Sequence, residues 1–253
     1  MTVILAAVDD SDVAPSVLAT AGALTELLHG RLRALHVREP GTPFARATTA
    51  EAGVALEEVD GEPVDALVDA VSDPEVGFVV VGARGSPEGP RPCGHVALAV
   101  AQGADKPVLV VPPNGAREPT APIRRVVVPL EGTPESSGAV TEALRLLSDA
   151  GVALTVVHVF DADTVPRFWD RSGYAEESFA AEFAARWCEG ADVPVRLRRG
   201  PASTAVLDVA DAEEADVIAL GWSQDLSPGR ARVVHAVLDR ACIPVLLVPV
   251  HTT

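Results

Sequence analysis

Short apolar runs alternate with amphipathic stretches along the chain. The first run, Val3 to Val8, is followed by Asp9-Asp10-Ser11-Asp12, and apolar residues then recur at helical spacing across 14–29. The run is typical of a buried strand, and the cluster after it is typical of a helix N-cap. Ten such runs alternating with helices predict an α/β fold, with parallel strands covered by helices on both faces.

The same pattern gives the approximate bounds of each element. The predicted strands are Val3–Val8, Leu32–Val37, Val54–Val59, Phe78–Val81, Val108–Val111, Val126–Pro129, Val152–Val159, Val193–Leu197, Val217–Leu220 and Val245–Val248. The predicted helices are 14–29, Pro63–Val71, Val96–Gln102, Ser136–Leu147, 176–188, Pro201–Ala212 and Ala231–Arg240.

The chain contains this pattern twice. Each copy closes on one phrase, Pro-Val-Leu-Val-Val-Pro-Pro from Pro107 and Pro-Val-Leu-Leu-Val-Pro-Val from Pro244. A period of about 120 residues is the size of a whole domain. The repeat therefore predicts two domains, residues 1–113 and 123–253, joined by the linker 114–122. Each domain is expected to be an open, parallel, five-stranded sheet.

The two copies differ in length at one place. Asp9 and Glu131 are 122 positions apart, whereas Pro63 and Pro201 are 138 apart. The second copy therefore has about sixteen extra residues between its second and third strands, roughly the length of one helix. Residues 38–53 are rich in Pro, Gly and Thr, so we expect the second helix of the first domain to be short or missing.

Composition and charge exclude several classes of partner. The 253 residues are 48% hydrophobic and carry a net charge of −16, which repels nucleic acid and anionic lipid. The three cysteines lack metal-ligand spacing and are expected to be reduced thiols. The run Val3 to Val8 is too short for a signal sequence or a membrane span. We therefore expect a soluble, cytoplasmic protein without a nucleic-acid or membrane partner.

Loops at the carboxyl ends of parallel strands form the usual ligand crevice of an open α/β sheet. In the first domain this edge carries Asp9, Val37, Gly82-Ala-Arg-Gly85 and Gly94-His95-Val96. Glycines let the backbone approach a phosphate, and the N-terminus of a helix presents free N–H groups to it. The Asp9 carboxylate suits a ribose hydroxyl or a metal ion. The edge is therefore a candidate nucleotide site.

Several short motifs recur in the same order in both copies. They are Ala7-Val-Asp-Asp-Ser11, Leu35-His-Val37, Gly61-Glu-Pro63 and Val80-Val-Gly-Ala-Arg-Gly85 in the first, and Val128-Pro129, Val157-His-Val159, Arg199-Gly-Pro201 and Ala215-Asp-Val-Ile-Ala-Leu-Gly221 in the second. With the closing strands, they resemble the universal stress protein (UspA-like) family over nearly the whole chain.

This resemblance implies a tandem stress-response protein with UspA-like α/β domains, similar to adenine-nucleotide hydrolases in fold. It implies five-stranded parallel sheets that associate through their last strands, inside the chain or in a homodimer. Some members bind ATP, often with Mg²⁺ or Mn²⁺, through the signature Gly-x2-Gly-x9-Gly-Ser/Thr. Other members do not bind ATP.

The first domain departs from this signature at one end of its loop. Gly82-x2-Gly85 is followed by eight residues and then by Gly94-His95, so the loop is one residue short and histidine replaces the hydroxyl residue. Gly94 lies thirteen positions before the closing Pro107, which supports it as the third glycine.

The second domain departs further. Counting back thirteen residues from its closing proline gives the series Gly221, Gln224, Ala231, Arg232, and Glu131 replaces the usual aspartate. A guanidinium at this position suits direct binding of an anion. It equally suits an ion pair with Glu131 that fills an empty pocket.

Each candidate also has a purely structural interpretation. Asp9 suits an N-cap, His95 suits a capping or surface position, and Arg232 suits a structural or solvent-facing charge. His36 and His158 each lie one residue before the end of a predicted strand, where packing is the expected role.

The sequence lacks the common catalytic motifs for dinucleotide binding, P-loop phosphoryl transfer, serine hydrolysis and zinc proteolysis. We therefore expect a regulatory or binding module without enzymatic activity. Its first domain would bind ATP or another adenine nucleotide, with Asp9 as a metal ligand only when nucleotide is present. The alternatives are a nucleotide-free scaffold that acts through protein contacts, and a slow ATPase. By resemblance, the binding residues would be Val8, Asp9, Val37, Gly82, Gly85, Gly94, His95 and Val96.

Overall fold

The computed structural model describes residues 1–38, 44–83, 94–113, 122–133, 145–160, 164–165, 173–188, 193–227 and 231–250. It confirms the α/β fold. The strands are β1 Val3–Ala7, β2 Arg31–Val37, β3 Leu56–Val59, β4 Val76–Gly82, β5 Val108–Val111, β6 Arg125–Pro129, β7 Ala153–Phe160, β8 Val195–Arg199, β9 Val217–Trp222 and β10 Val245–Pro249.

The helices alternate with these strands. They are α1 Ala14–Leu27, α2 Phe44–Glu51, α3 Pro63–Val71, α4 His95–Gly103, α5 Gly173–Trp187, α6 Ala202–Ala212 and α7 Arg232–Arg240. Of the helix predicted at 136–147, only the part from 145 is described, and residues 145–149 are helical. The predicted linker 114–122 lies outside the described residues except for its last position. No helix in the described ranges has the length and apolar content that a membrane span requires.

The strands form one ten-stranded sheet rather than two separate ones. Their order is β3-β2-β1-β4-β5-β10-β9-β6-β7-β8. Neighbours within each half are parallel. The halves join where β5 runs antiparallel to β10, with Leu109 opposite Leu246. Both strands are buried, so either one left as an edge would expose apolar side chains and unpaired backbone groups. Pairing them removes both costs.

The hydrophobic core continues across this junction on both faces of the sheet. Successive strand residues point to opposite faces. Ile4 packs in one cluster with Leu109 and Leu246, whereas Leu5 packs in the other with Leu247. Each cluster contains residues of both halves. The two halves therefore share their core.

The acidic cluster after β1 does not cap α1, contrary to the sequence prediction. The N-cap of α1 is Val13, which makes no side-chain capping bond. Asp9 Oδ1 instead accepts from the N–H of Ser11 at 3.1 Å and from its hydroxyl, which closes a local turn. Asp10 Oδ1 accepts from the N–H of Ala45 at 2.8 Å. The cluster therefore satisfies a first-turn donor of α2, a helix distant in sequence.

The helix after β2 is short in the first half. There α2 has eight residues, whereas α5 has fifteen at the equivalent place in the second half. Two hydrogen bonds from Arg46 to Glu58 tie α2 to β3. These bonds hold the pKa of the Glu58 carboxyl below its usual value. The shorter helix thus keeps its place on the edge strand partly through an ion pair.

Candidate functional site

A cavity of about 460 Å³ opens at the carboxyl edge of the second half. It lies at the ends of β6, β7 and β9 and at the start of α7, in the crevice where open α/β sheets usually bind ligands. Its lining residues are Pro129, Leu130, Glu131, Thr133, Val157, Val159, Ala202, Val206, Leu220, Gly221, Trp222, Ser223, Ala231, Arg232, Val233, Val234 and Val250.

The cavity walls are apolar, and two opposite charges line it. Val157 and Val159 come from β7, Val206 comes from α6, and Trp222, only 4% exposed, ends β9. Glu131 and Arg232 are exposed. Apolar walls with few polar groups are typical of a small-molecule site.

Glu131 and Arg232 do not neutralise each other. Within the described residues, no hydrogen bond or ion pair joins them. The alternative in which Arg232 pairs with Glu131 to fill an empty pocket is therefore not what the structure shows. Both charges remain available to a ligand at the mouth of the cavity.

Two described residues between β9 and α7 adopt a backbone conformation suited to glycine. Gln224 has φ 58° and Ala231 has φ 48°, and these are the two non-glycine residues that the sequence places at glycine positions. A left-handed conformation costs a residue with a Cβ about 1–2 kcal/mol. The backbone at these two positions is therefore held at some cost in stability.

The start of α7 offers backbone donors beside Arg232. Ala231 is the N-cap and makes no side-chain capping bond. The first N–H groups of a helix lack intrahelical acceptors and carry partial positive charge. Since Ala231, Arg232, Val233 and Val234 all line the cavity, this helix end and the guanidinium together suit an anionic group.

The structure brings most of the predicted first-half residues to the equivalent edge. Val8 is 3% exposed and Val37 is 8% exposed, behind Asp9. Gly82 ends β4, Gly94 is the N-cap of α4, His95 begins that helix, and Val96 is 36% exposed. Gly85 lies outside the described residues.

The structure adds one observation on Gly94 and one on Asp9. Gly94 has φ −70° and ψ 157°, an extended conformation that any residue can adopt, so the backbone at this position does not require glycine. Asp9 does not belong to any group of three or more histidine, cysteine or acidic residues that could hold a metal, as far as the described ranges extend.

A pair of equivalent histidines holds the first loop of each half. The Nδ1 atom of His36 lies 2.8 Å from the carbonyl oxygen of Val8, and the Nδ1 of His158 lies 2.9 Å from that of Leu130. A carbonyl only accepts, so Nδ1 carries the proton in both rings. His36 and His158 therefore have a specific role beyond packing: each fastens the residue before the candidate acid, Asp9 or Glu131.

Comparison with known proteins gives a match in each half. The model of the universal stress protein family matches residues 44–112 and 122–249, well over half of the chain. The chain belongs to the universal stress protein family. Both matches agree with the tandem arrangement inferred from the sequence. A search of the curated proteins found no match.

Solved structures show the same fold for this universal stress protein. One from Archaeoglobus fulgidus is 17% identical with a TM-score of 0.70, and each chain covers 98% of the other. Two Pseudomonas aeruginosa proteins are 16% identical, each aligned over 98% of this chain. One, of unknown function, has a TM-score of 0.68 over 92% of its own length, and the other, a universal stress protein, has 0.66 over 93%.

Sequence reasoning missed two residues of this universal stress protein's second half. Trp222 forms a wall of the cavity, yet as part of an apolar strand it gave no functional signal. Gln224 stood out only as a replaced glycine. Its side chain reaches backbone oxygens of the first half, a contact that no local pattern encodes.

Proposed function

We propose that this universal stress protein is a regulatory binding module that takes an adenine nucleotide in the cavity of its second half. The observation that supports this is a cavity of about 460 Å³ that combines apolar walls with Glu131 and Arg232. The apolar walls suit a purine ring, and the carboxylate suits a ribose hydroxyl. The guanidinium and the start of α7 suit a phosphate.

Charge makes the number of phosphates important. Glu131 and Arg232 together add no net charge to the cavity, and the whole chain carries −16, so each further phosphate meets repulsion. We therefore expect AMP to bind without added cation and ATP to bind more tightly with Mg²⁺ than without it.

The first half provides an alternative nucleotide site. It would use Asp9 for ribose or, with bound nucleotide, for Mg²⁺ or Mn²⁺, together with the glycine-rich edge predicted from the sequence. The remaining residues proposed for it are Val8, Val37, Gly82, Gly85, Gly94, His95 and Val96. Substitution of Asp9 and substitution of Arg232 therefore show which half binds the nucleotide.

Isothermal titration with AMP and with ATP and Mg²⁺ tests the proposal. We expect Arg232→Ala to weaken binding at least about tenfold, because a charge-assisted hydrogen bond is lost, and Asp9→Ala to leave it unchanged. Arg240→Ala is the matched control, since Arg240 ends the same helix. The opposite result for Arg232 and Asp9 would assign the nucleotide to the first half. Native protein that gives no heat with either nucleotide would disprove binding.

A nucleotide-free scaffold is the second candidate. It is favoured by Gln224, which occupies a glycine position of the signature and directs its amide to the first half instead of to a ligand. Such a protein would act through protein contacts alone. In the same titration it would give no heat with any nucleotide.

Catalysis is the third candidate and the least supported. Incubation of the native protein with ATP and Mg²⁺ would reveal a slow ATPase. Phosphate release above background that disappears in Asp9→Ala would replace the binding role with an enzymatic one.

We also propose a cytoplasmic location and an assembly that does not use the last strands. The family associates through these strands, and here β5 and β10 pair with each other. A homodimer would therefore use another surface.

The proposed cytoplasmic location is supported by Cys188 and Cys242, which are free thiols. Burial raises the pKa of the Cys188 thiol, which keeps it protonated and unreactive.

A further inference from the structure

The side chain of Gln224 connects the second half to the end of a helix in the first. Its Nε2 atom lies 2.9 Å from the carbonyl oxygen of Ala101, 3.0 Å from that of Gln102 and 2.6 Å from that of Ala104. The last carbonyls of a helix have no intrahelical donor. Gln224 therefore caps the C-terminus of α4 across the boundary between the halves.

This residue belongs to the loop that forms the cavity. Trp222 and Ser223, immediately before it, line the cavity, as does Ala231 at the end of the loop. Gln224 itself has φ 58°, a conformation that persists only when its surroundings hold it. The contact with α4 is such a restraint. One wall of the second-half cavity is thus positioned by the first half.

The helix at the other end of this contact also belongs to a candidate site. It begins after Gly94, part of the predicted first-half site, and ends at Gly103 beneath Gln224. A Cβ at Gly103 would lie 3.0 Å from Cγ2 of Val68, so α4 packs closely against α3. With nine residues, α4 runs from the predicted first-half site to the contact with Gln224.

We infer that Gln224 is a positioning residue that couples the second-half cavity to α4, so that ligand occupancy and the order of the last turn of α4 are linked. The ligand part of this inference rests on the proposed nucleotide binding. Coupling of this kind is reciprocal: whatever orders the loop stabilises α4, and whatever frays α4 loosens the loop. The contact between Gln224 and α4 itself does not depend on a ligand.

Hydrogen exchange measured by mass spectrometry on the full chain without ligand tests this contact. Gln224→Glu places a carboxylate against three carbonyl oxygens. We expect amides in 100–104 and in 222–227 to exchange about tenfold faster, the effect of losing roughly one net hydrogen bond. Gln224→Lys keeps a donor at a helix C-terminus and should preserve the native rates. Gln102→Ala is the matched control, because that side chain is exposed on α4 and alanine favours the helix. Faster exchange at only one of the two segments in Gln224→Glu would overturn the coupling.

The same measurement with saturating AMP separates this inference from the proposed function. In the native chain we expect AMP to slow exchange in both segments, and in Gln224→Glu only in 222–227. Native protein in which AMP protects 222–227 but leaves 100–104 unchanged would disprove the linkage even though nucleotide binds. If AMP protects neither segment, the proposed function fails, and the ligand-free comparison of Gln224→Glu with Gln224→Lys decides the contact on its own.

Discussion

Single residues in this protein occupy backbone positions that suit glycine better. Ala231 has φ 48° and stands as the N-cap of α7. Both features favour glycine over alanine, because glycine has no Cβ to clash at positive φ and is the better N-cap. Alanine at this position is therefore a local defect in stability.

We predict that Ala231→Gly raises the free energy of unfolding by about 1 kcal/mol, since it removes left-handed strain. Ala236→Gly in the interior of α7 is the control and should lower it by about 1 kcal/mol through loss of helix propensity. Urea denaturation followed by circular dichroism measures both. A neutral or destabilising Ala231→Gly would contradict the strain argument.

At the scale of elements, close packing of α5 shapes the turn that follows β6. Gly132 has φ 78°, and a Cβ at this position would lie 2.8 Å from Cε2 of Phe183 and 3.3 Å from Nε1 of Trp187. Phe183 also packs against His158, with ring centroids 4.5 Å apart. The turn that leaves Glu131 at the cavity is therefore fixed between β7 and α5.

We predict that Gly132→Ala costs about 2–4 kcal/mol, from backbone strain together with the clash against α5. Gly151→Ala separates the two effects, because Gly151 has φ 82° with no atom within 4 Å of the added Cβ. It should cost only about 1 kcal/mol, the backbone strain alone. Equal losses of denaturation midpoint in the two variants would show that the contact with α5 is not limiting.

The sequence predicted the elements well because each is encoded locally. The bounds of β5 agree with the prediction, since the apolar run from Val108 to Val111 is bounded by prolines. The capping role of Asp9 was wrong, because Asp9 turns back to Ser11 and Val13 takes the N-cap. Gln224 contacts residues more than a hundred positions away, and no periodicity carries that information.

Parts of the second-half cavity were predictable from the sequence, whereas the cavity itself was not. The series from Gly221 to Arg232 was found from spacing, yet the sequence pointed to the first half for the ligand because the glycines are there. In the structure, residues of the second half line a cavity, although only the first glycine of the series, Gly221, is present there. The glycines favoured the first half. The second half is favoured by its backbone conformation and by the apolar walls of its cavity, and both depend on tertiary packing.

At the scale of the whole molecule, the two halves share one sheet and both core faces. Leu109 of β5 and Leu246 of β10 are 1% and 3% exposed and face each other across the junction. All three tryptophans lie beyond residue 122. Tryptophan fluorescence therefore reports on the second half, whereas circular dichroism reports on both.

We predict that Leu109→Ala, a change in the first half, lowers the stability of the whole chain by about 2–5 kcal/mol through a cavity in the shared core. The fluorescence and circular dichroism transitions should move together, because the halves unfold as one unit. Leu146→Ala is the control, since Leu146 is 46% exposed in the second half, and it should move neither. A fluorescence transition that stays at its native midpoint would show that the halves unfold separately.

The antiparallel meeting of β5 and β10 also places the two candidate sites at opposite edges of the sheet. Strands of the first half point one way along the sheet, and strands of the second half point the other way. The carboxyl edges that carry the two candidate sites consequently face opposite directions. The length of a strand, roughly 15–20 Å, separates these edges. Each candidate site would therefore take its own ligand, and the sheet fixes the distance between them.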